Sequence, residues 1–182
     1  TIKAYIDTWY KNNLINYTDY LQDSIYCNDR SVTPVESFGG MEPSGNGTGT
    51  TFTAYSNLTR NFVNSPATPS LKCTNINDRF TVSSANGNGA LTYPIGLITT
   101  DEIILSGGKS YDMVNSSYIT NTDYYLFTGN FYWSMTPVAF AGDEANVDDV
   151  LGDGRVDFGS VDFTRGVRSV VSLRSDVITG GN

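Results

Sequence analysis

The chain has 182 residues, the length of one domain with a sizeable core. Charged residues make up only 16 %, the formal net charge is −8, and there is no histidine. The acidity argues against nucleic acid as a partner, because phosphate binding needs clustered Lys and Arg. Without histidine the commonest general base and metal ligand is missing, so we expect no metal and no cofactor. No apolar run reaches membrane-spanning length, so we expect no direct membrane insertion by this segment.

Gly, Ser, Thr, Asn and Tyr are abundant, a balance common in extracellular binding surfaces. The chain has two cysteines, Cys27 and Cys73. A disulfide between them is the preferred interpretation, and two buried free thiols are the alternative. We therefore expect an extracellular or cell-surface location. Because the sequence starts directly in a helical pattern, we also expect a signal, anchor or pilin-like segment before it.

Helical periodicity opens the chain, with Thr1 as a capping residue. The pattern predicts a helix with a buried stripe at Ile2, Tyr5, Ile6, Trp9 and Tyr10. A second short helical stretch is predicted over Tyr17 to Leu21, followed by a strand over Ser24 to Cys27. Residues 31–70 are rich in turn formers and are predicted to be a long loop, whose base the disulfide would pin.

The tripeptide Asn-Asp-Arg occurs twice, at residues 28–30 and 77–79, close to each cysteine. Coincidence is one interpretation. The other is structural, with each Asp closing a turn and each Arg reaching nearby carbonyl groups.

The second half of the chain alternates short strand patterns with one helix. Thr99 to Glu102 is typical of a helix start, and Gly107-Gly108 of its end. The predicted elements are a strand over Ala90 to Ile98, a helix to Leu105, strands over Tyr124 to Phe127 and Asn130 to Met135, and a closing strand over Gly166 to Leu173.

Small and β-branched residues recur from Val150 onward, with chemically unrelated residues between them. Acid, base, aromatic and glycine residues are mixed in the intervening positions. Regular anchors with heterogeneous inserts are typical of a rigid frame that carries a display face.

The order and spacing of several motifs resemble a known family. The motifs are Tyr132 to Pro137, the Val-x3-Gly-x-Val-x4-Val-x4-Gly-Val-Arg pattern and Val170 to Leu173, together with Ile2 to Trp9, Tyr26 to Ser31, Pro69 to Cys73 and Thr92 to Thr99. They resemble C-type-lectin-like domains of the formylglycine-generating-enzyme subtype. The closest similarity is to surface, lipoprotein and pilin-associated proteins of gut bacteria, and several related domains are variable proteins of diversity-generating retroelements.

This resemblance implies one α+β domain over residues 1–182 with a C-type-lectin-like fold. A small antiparallel sheet, two short helices and long loops would present a display region over about residues 132–173. The implied function is binding of an unknown protein or glycan at the cell surface, with a pilus tip and a lipoprotein as the two alternatives for the parent protein. Enzyme activity is not expected, because catalytic members use a cysteine pair in the C-terminal half and no cysteine follows Cys73.

The resemblance divides the C-terminal region into display and frame residues. The implied ligand-binding residues are Val138, Ala139, Asp143, Asn146, Val147, Asp149, Leu151, Asp153, Arg155, Asp157, Phe158, Gly159, Asp162, Phe163 and Arg165. The implied frame residues are Tyr132, Trp133, Pro137, Gly154, Val156, Val161, Gly166, Val167 and Arg168. Aspartate at Val156 or Val161 is expected to unfold the domain.

Three other interpretations use the same residues. Asp149, Asp153 and Asp157 partly match the spacing of a calcium loop, which would make the domain a calcium-dependent glycan binder, but Leu151 and Ser160 offer no carboxylate where ligands are needed. Paired carboxylates such as Asp148 and Asp153 would be required for glycosidase chemistry. The third interpretation is a structural pilin or adhesin module of the same fold without a diversified face.

Overall fold

The computed structural model describes residues 1–32, 52–64, 66–110, 113–114, 117–118, 120–141 and 144–178. The helices are α1 (Ile2–Asn13), α2 (Ser56–Leu58), α3 (Thr100–Leu105) and α4 (Ser175–Ile178). Two 3-10 segments cover Ile15–Tyr20 and Ile76–Asp78, and a π-helical turn covers Thr59–Val63.

Most of the strands are only two residues long. They are β1 (Leu21–Gln22), β2 (Tyr26–Cys27), β3 (Thr53–Ala54), β4 (Arg79–Phe80), β5 (Gly96–Leu97), β6 (Lys109–Ser110), β7 (Met113–Val114), β8 (Ser117–Tyr118), β9 (Tyr132–Ala141), β10 (Glu144–Val150), β11 (Arg155–Ser160), β12 (Gly166–Val167), β13 (Ser169–Val170) and β14 (Ser172–Leu173). The chain is therefore mixed α and β, which is compatible with the α+β class expected from the sequence.

The largest sheet has six strands and is built on the long strands β9, β10 and β11. Its order is β12-β9-β10-β11-β6, and β3 also pairs with β9. The three long strands are antiparallel, but β12 pairs with β9 and β6 pairs with β11 in parallel. The expectation of a purely antiparallel sheet is wrong at these two edges, because the chain reaches both edge positions through crossovers.

Three buried apolar clusters cover parts of the long strands. One contains Val150 and Val156, and a second contains Val138 and Ala139. The third joins Trp133 of β9 to α1.

Helix α1 begins where the sequence predicts, and the Thr1 side chain accepts a hydrogen bond from the backbone amide of Ala4. Only Ile6 and Tyr10 of the predicted stripe are buried. The prediction was wrong for Ile2, Tyr5 and Trp9, which are exposed, because a single layer below the helix covers only a narrow strip of it.

Cys27 and Cys73 form the expected disulfide, with their Cα atoms 5.8 Å apart. A bridge closing 46 residues stabilises the fold by about 4 kcal/mol on the loop-entropy estimate. The two Asn-Asp-Arg tripeptides meet beside it, since Arg30 forms a salt bridge with Asp78. Arg79 donates to the carbonyl oxygens of Cys73 and Thr74, so the structural interpretation of the repeat is supported.

Part of the predicted long loop is ordered secondary structure. Residues 33–51 lie outside the described part of the chain, but residues 52–64 form β3, α2 and the π-helical turn. Phe52, Ala54 and Leu58 are buried there against β9. The turn-rich composition of the segment predicted a loop, but these three apolar residues are enough to pack it onto the sheet.

Three further predictions of strands need correction. Tyr124 to Phe127 is a turn, in which the Phe127 amide donates to the Tyr124 carbonyl. Of the strand predicted over Ala90 to Ile98, only β5 forms. The closing strand predicted over Gly166 to Leu173 is divided into β12, β13 and β14, each of which pairs in a different sheet.

The burial of the two valines yields a first test. Val156 is 0 % exposed and packs in the core, whereas Val161 is 54 % exposed just beyond the end of β11. We predict that Val156→Asp destabilises the domain by more than about 3 kcal/mol, because an unpaired carboxylate enters the core. Val161→Asp is predicted to change stability by no more than about 0.5 kcal/mol.

Chemical denaturation of both variants measures the difference. Equal losses at the two positions would contradict the placement of Val161 outside the core, and would instead restore its expected role in the frame.

Candidate functional site

The register of the β10–β11 hairpin sorts its residues onto two faces. Val150 lies opposite Val156, and Asp149 lies opposite Asp157. Because side chains alternate along a strand, the two valines share the core face and the two carboxylates share the other face. Trp133 of β9 is the other cross-strand neighbour of Asp149.

A salt bridge organises the carboxylate face. Arg165 donates from Nε to Oδ2 of Asp149 at 2.6 Å. Asp149 is buried, and its second oxygen, Oδ1, has no hydrogen-bond partner among the described residues. Burial raises the pKa of Asp149, the bond from Arg165 opposes this, and the charge of Asp157 adds to the rise.

Three aromatic rings surround the guanidinium group of Arg165. Its central carbon lies 4.7 Å from the ring centre of Phe131, 5.1 Å from that of Phe163 and 5.7 Å from that of Trp133. These distances are within the range of cation–π attraction. The rings and Asp149 together fix the arginine in one orientation.

Gly159 provides the space in which the Phe163 ring lies. A Cβ atom at Gly159 would be only 3.0 Å from the Phe163 ring, which therefore packs directly on the strand backbone. Phe163 follows the turn after β11, and its amide donates to the Ser160 carbonyl. This turn folds the ring and Arg165 back onto the sheet.

We call this surface the arginine face. Two of its three rings are partly open to solvent, with Phe131 45 % and Phe163 50 % exposed, whereas Trp133 is buried. Asp157 is half-buried and Asp162 is exposed, and neither makes a salt bridge within the described residues. The arginine face consists of Phe131, Trp133, Asp149, Asp157, Gly159, Phe163 and Arg165.

The turn between β10 and β11 adjoins this face, since Arg155 lies two residues before Asp157 on the same strand. Arg155 forms a salt bridge with Asp153 at 2.8 Å. Across the turn, the Leu151 amide donates to the Arg155 carbonyl, and the Leu151 carbonyl accepts from the Gly154 amide. Gly154 has a φ of 86°, and a Cβ there would lie 1.8 Å from the Asn121 carbonyl oxygen. Gly154 is therefore required by the turn, as expected of a frame residue.

This geometry does not favour the calcium interpretation. Asp149 and Asp157 lie on paired strands rather than on one loop, and the carboxylates of Asp149 and Asp153 each bind an arginine. Within the described ranges, no three acidic or cysteine residues are arranged to hold a metal ion.

Several residues expected on the display face lie in the interior. Val138 and Ala139 are buried in one core cluster, and Phe158 packs against it with its ring edge toward Phe62. The prediction of exposure is therefore wrong for Val138 and Ala139, and also for Asp149 and Gly159, which are buried, while Phe158 is half-buried. Phe158 shares its face with Val156, two residues earlier, and that face is the core.

The remaining expected residues are divided among other environments. Val147 packs with the cluster under α1, and Asn146 is half-buried opposite Ser160. Asp143 lies outside the described residues. Of the expected frame, Tyr132, Trp133 and Val156 are buried, whereas Val161, Gly166 and Val167 are exposed.

Sequence reasoning missed two features, Phe131 and the environment of Asp148. Phe131 opens the aromatic run that continues with Tyr132 and Trp133, so the signal for a further exposed ring was present. Asp148 was considered only as one of a pair of carboxylates for glycosidase chemistry, but it is fully buried. The available signal was its spacing. Asp148 lies two residues before Val150, which pairs with Val156 in the core, and residues two apart on a strand share a face.

Asp148 is the centre of a buried polar network on the core face of the sheet. Its Oδ2 accepts hydrogen bonds from the Asn57 amide and the Thr100 hydroxyl. The network continues to Asn61 and Ser134, while Oδ1 of Asp148 has no partner in the described part of the chain. Burial raises the pKa of Asp148 well above its usual range, although these hydrogen bonds oppose the rise.

The raised pKa yields a second test. The folded protein retains the Asp148 proton at pH values where the unfolded chain has lost it. The contribution of Asp148 to stability is therefore present below the ordinary carboxyl pKa and is lost as the pH rises toward its raised value. Asp148→Asn, which cannot ionise, is predicted to gain stability relative to the parent chain as the pH increases from 4 to 8.

Asp148→Ala is the matched control. It removes the acceptor from Asn57 and Thr100, and should cost at least about 2 kcal/mol at every pH. Urea denaturation at pH 4, 6 and 8 measures both variants. A constant difference between the parent chain and Asp148→Asn across this range would contradict the raised pKa.

A cleft with a volume of about 710 Å³ lies on another part of the molecule. The Cys27–Cys73 disulfide lines it, together with Arg60, which bridges Asp29 at 2.8 Å and Asp101 at 2.9 Å. The backbone amide of Ser70 also donates to Asp101. These bonds tie the disulfide-linked segments to α3, so the charged groups of this wall are engaged with one another.

No protein-family model, curated protein or solved structure matches the chain. The described part of the chain also contains no helix long and apolar enough to span a membrane.

Proposed function

We propose that this chain is a secreted or surface-displayed binding domain that contacts its ligand through the arginine face. The observation that carries the proposal is that residues expected for display come together on one surface. Phe163 and Arg165 were expected on a display face from the sequence, and they lie with Phe131 beside Asp149, whose strand neighbour Asp157 was also expected there.

The chemistry of this face suits recognition by contact. Two half-exposed phenylalanine rings offer apolar area that a partner can bury, and aromatic and arginine residues dominate the energetics of many interfaces. The salt bridge and the ring contacts hold Arg165 and Phe163 in place before any ligand arrives. Such preorganisation lowers the entropy cost of binding.

The C-type-lectin-like fold remains part of the proposal. Supporting it are the α+β architecture, the long β9–β11 strands at the expected display region and the order of the sequence motifs. An extracellular location is supported by the Cys27–Cys73 bridge, since such bridges persist in oxidising compartments.

The proposal includes diversification of this face by a retroelement, and the burial pattern limits the positions that could vary. Substitution is tolerated at exposed positions such as Asp162 and Phe163, whereas Val138 and Ala139 are constrained by the core. A template repeat that differs from this coding stretch at the exposed positions would support a diversified binder. A fixed adhesin or pilin module, without such a repeat, is the competing outcome.

A binding array tests the proposed function. The chain is presented to immobilised glycans and proteins alongside Phe163→Ala and the matched control Ile76→Ala, an exposed apolar residue outside the arginine face. Loss of the Phe163 ring is predicted to weaken binding about tenfold or more, as expected for a central aromatic contact, whereas Ile76→Ala binds as the parent does.

Phe131→Ala provides a second variant, since Arg165 lies over the Phe131 ring as well. If both phenylalanine variants retain every array signal of the parent chain, the arginine face is not the binding site.

A further inference from the structure

Asp148 is a buried acid that takes no part in the arginine face. Its side chain lies in the core, and both of its hydrogen-bond donors, the Asn57 amide group and the Thr100 hydroxyl, are neutral. None of the salt bridges within the described ranges includes it. An anion at this position would lose its hydration without gaining a positive partner, so its ionisation is costly.

Two buried oxygen atoms in the network around Asp148 lack a hydrogen bond. They are Oδ1 of Asp148 and Oδ1 of Asn61, and neither has a partner among the described residues. The two side chains are joined through Asn57, which donates to Asp148 and accepts from Asn61. Protonation of Asp148 converts one acceptor of this network into a donor, so the neutral acid suits the network better than the anion does.

The charged groups around Asp148 also oppose its ionisation. The charges that act on it are those of Asp101 on α3 and Asp149 on β10, and both raise its pKa in addition to the effect of burial. The cation of the neighbouring π-helical turn, Arg60, is engaged by Asp101 and Asp29. The neutral members of the network, which come from α2, the π-helical turn, α3 and β9, are Asn57, Asn61, Thr100, Ser134 and Thr136.

Residues 56–63 are the element around Asp148 with the shortest regular structure. Strand β10 is paired on both sides, and α3 has a complete capping box. The 56–63 segment consists of the three-residue helix α2 and the π-helical turn, a rare geometry found mostly at functional sites. Leu58 holds it in the core, but Asn57 and Asn61 are also fully buried. Its attachment therefore depends on the polar network as well as on apolar packing.

The same segment forms a wall of the cleft that the disulfide lines. Arg60 of the π-helical turn lies in this wall and holds Asp29 at 2.8 Å and Asp101 at 2.9 Å. Asp101 also accepts a hydrogen bond from the buried amide group of Asn61. A displacement of the turn would therefore break bonds in the cleft wall and in the buried network together.

We propose that Asp148 is a pH-sensitive latch that holds the 56–63 segment in place. While the acid is neutral, the segment stays against β10 and α3. When the proton leaves to solvent, the anion faces Asp101 without a cation, and the segment moves outward so that water hydrates the carboxylate. Because Arg60 moves with the segment, rising pH also opens this wall of the cleft. The latch is independent of the function proposed for the arginine face.

Amide hydrogen exchange of the ¹⁵N-labelled chain between pH 5 and pH 8 tests the latch. After correction for the intrinsic effect of pH on exchange, the protection of residues 58–63 is expected to fall as the pH rises. The fall should be about tenfold or more beyond that of Ile6 and Tyr10 in α1, because the opening is local. In Asp148→Asn, which cannot ionise, the protection of residues 58–63 is expected to follow that of α1.

Asp19→Asn is the matched control, since it removes an exposed carboxylate outside the network and is expected to behave as the parent chain does. The latch is overturned by an equal loss of protection in α1, by an unchanged protection of residues 58–63, or by the same loss in Asp148→Asn. If Asp148→Asn does not fold, the carboxyl ¹³C signal of Asp148 in the parent chain decides. Its titration must share its midpoint pH with the loss of protection, and a different midpoint would overturn the latch.

Discussion

The antiparallel register of β10 and β11 is the constraint on which the rest of the structure depends. Pairing Val150 with Val156 places both in the core, and the same register places Asp149 and Asp157 on the opposite face. A shift of one residue would put the carboxylates inside and the valines outside. Gly154 permits the turn that sets this register, because any side chain there would collide with the Asn121 backbone.

The sequence predicted the parts of the fold that depend on local signals. The Thr1 and Thr99 caps mark the starts of α1 and α3, and the capping box at Thr99 and Glu102 forms as expected. Alternation also assigns Phe158 to the core beside Val156, although it was counted as a display residue. Val161 was misplaced because a spacing of five residues changes the face, and because β11 ends at Ser160.

The remaining features depend on contacts that no local pattern encodes. Asp149 and Arg165 are 16 residues apart, and they meet only because the turn after Ser160 folds back onto the sheet. The display and frame classes therefore overlap. Arg165 is a display residue by position, but it also neutralises a buried carboxylate, so diversification at this position would be coupled to stability as well as to binding.

The coupling between Asp149 and Arg165 tests the central claim most directly. A double-mutant cycle with Asp149→Asn, Arg165→Gln and the combined variant, followed by chemical denaturation, isolates the interaction from the separate effect of each change. The structure predicts a favourable coupling of about 1–3 kcal/mol, because the carboxylate is buried and the guanidinium is enclosed by rings. Additive losses, with a coupling below about 0.3 kcal/mol, would show that Arg165 is not held by Asp149 and would contradict this account of the arginine face.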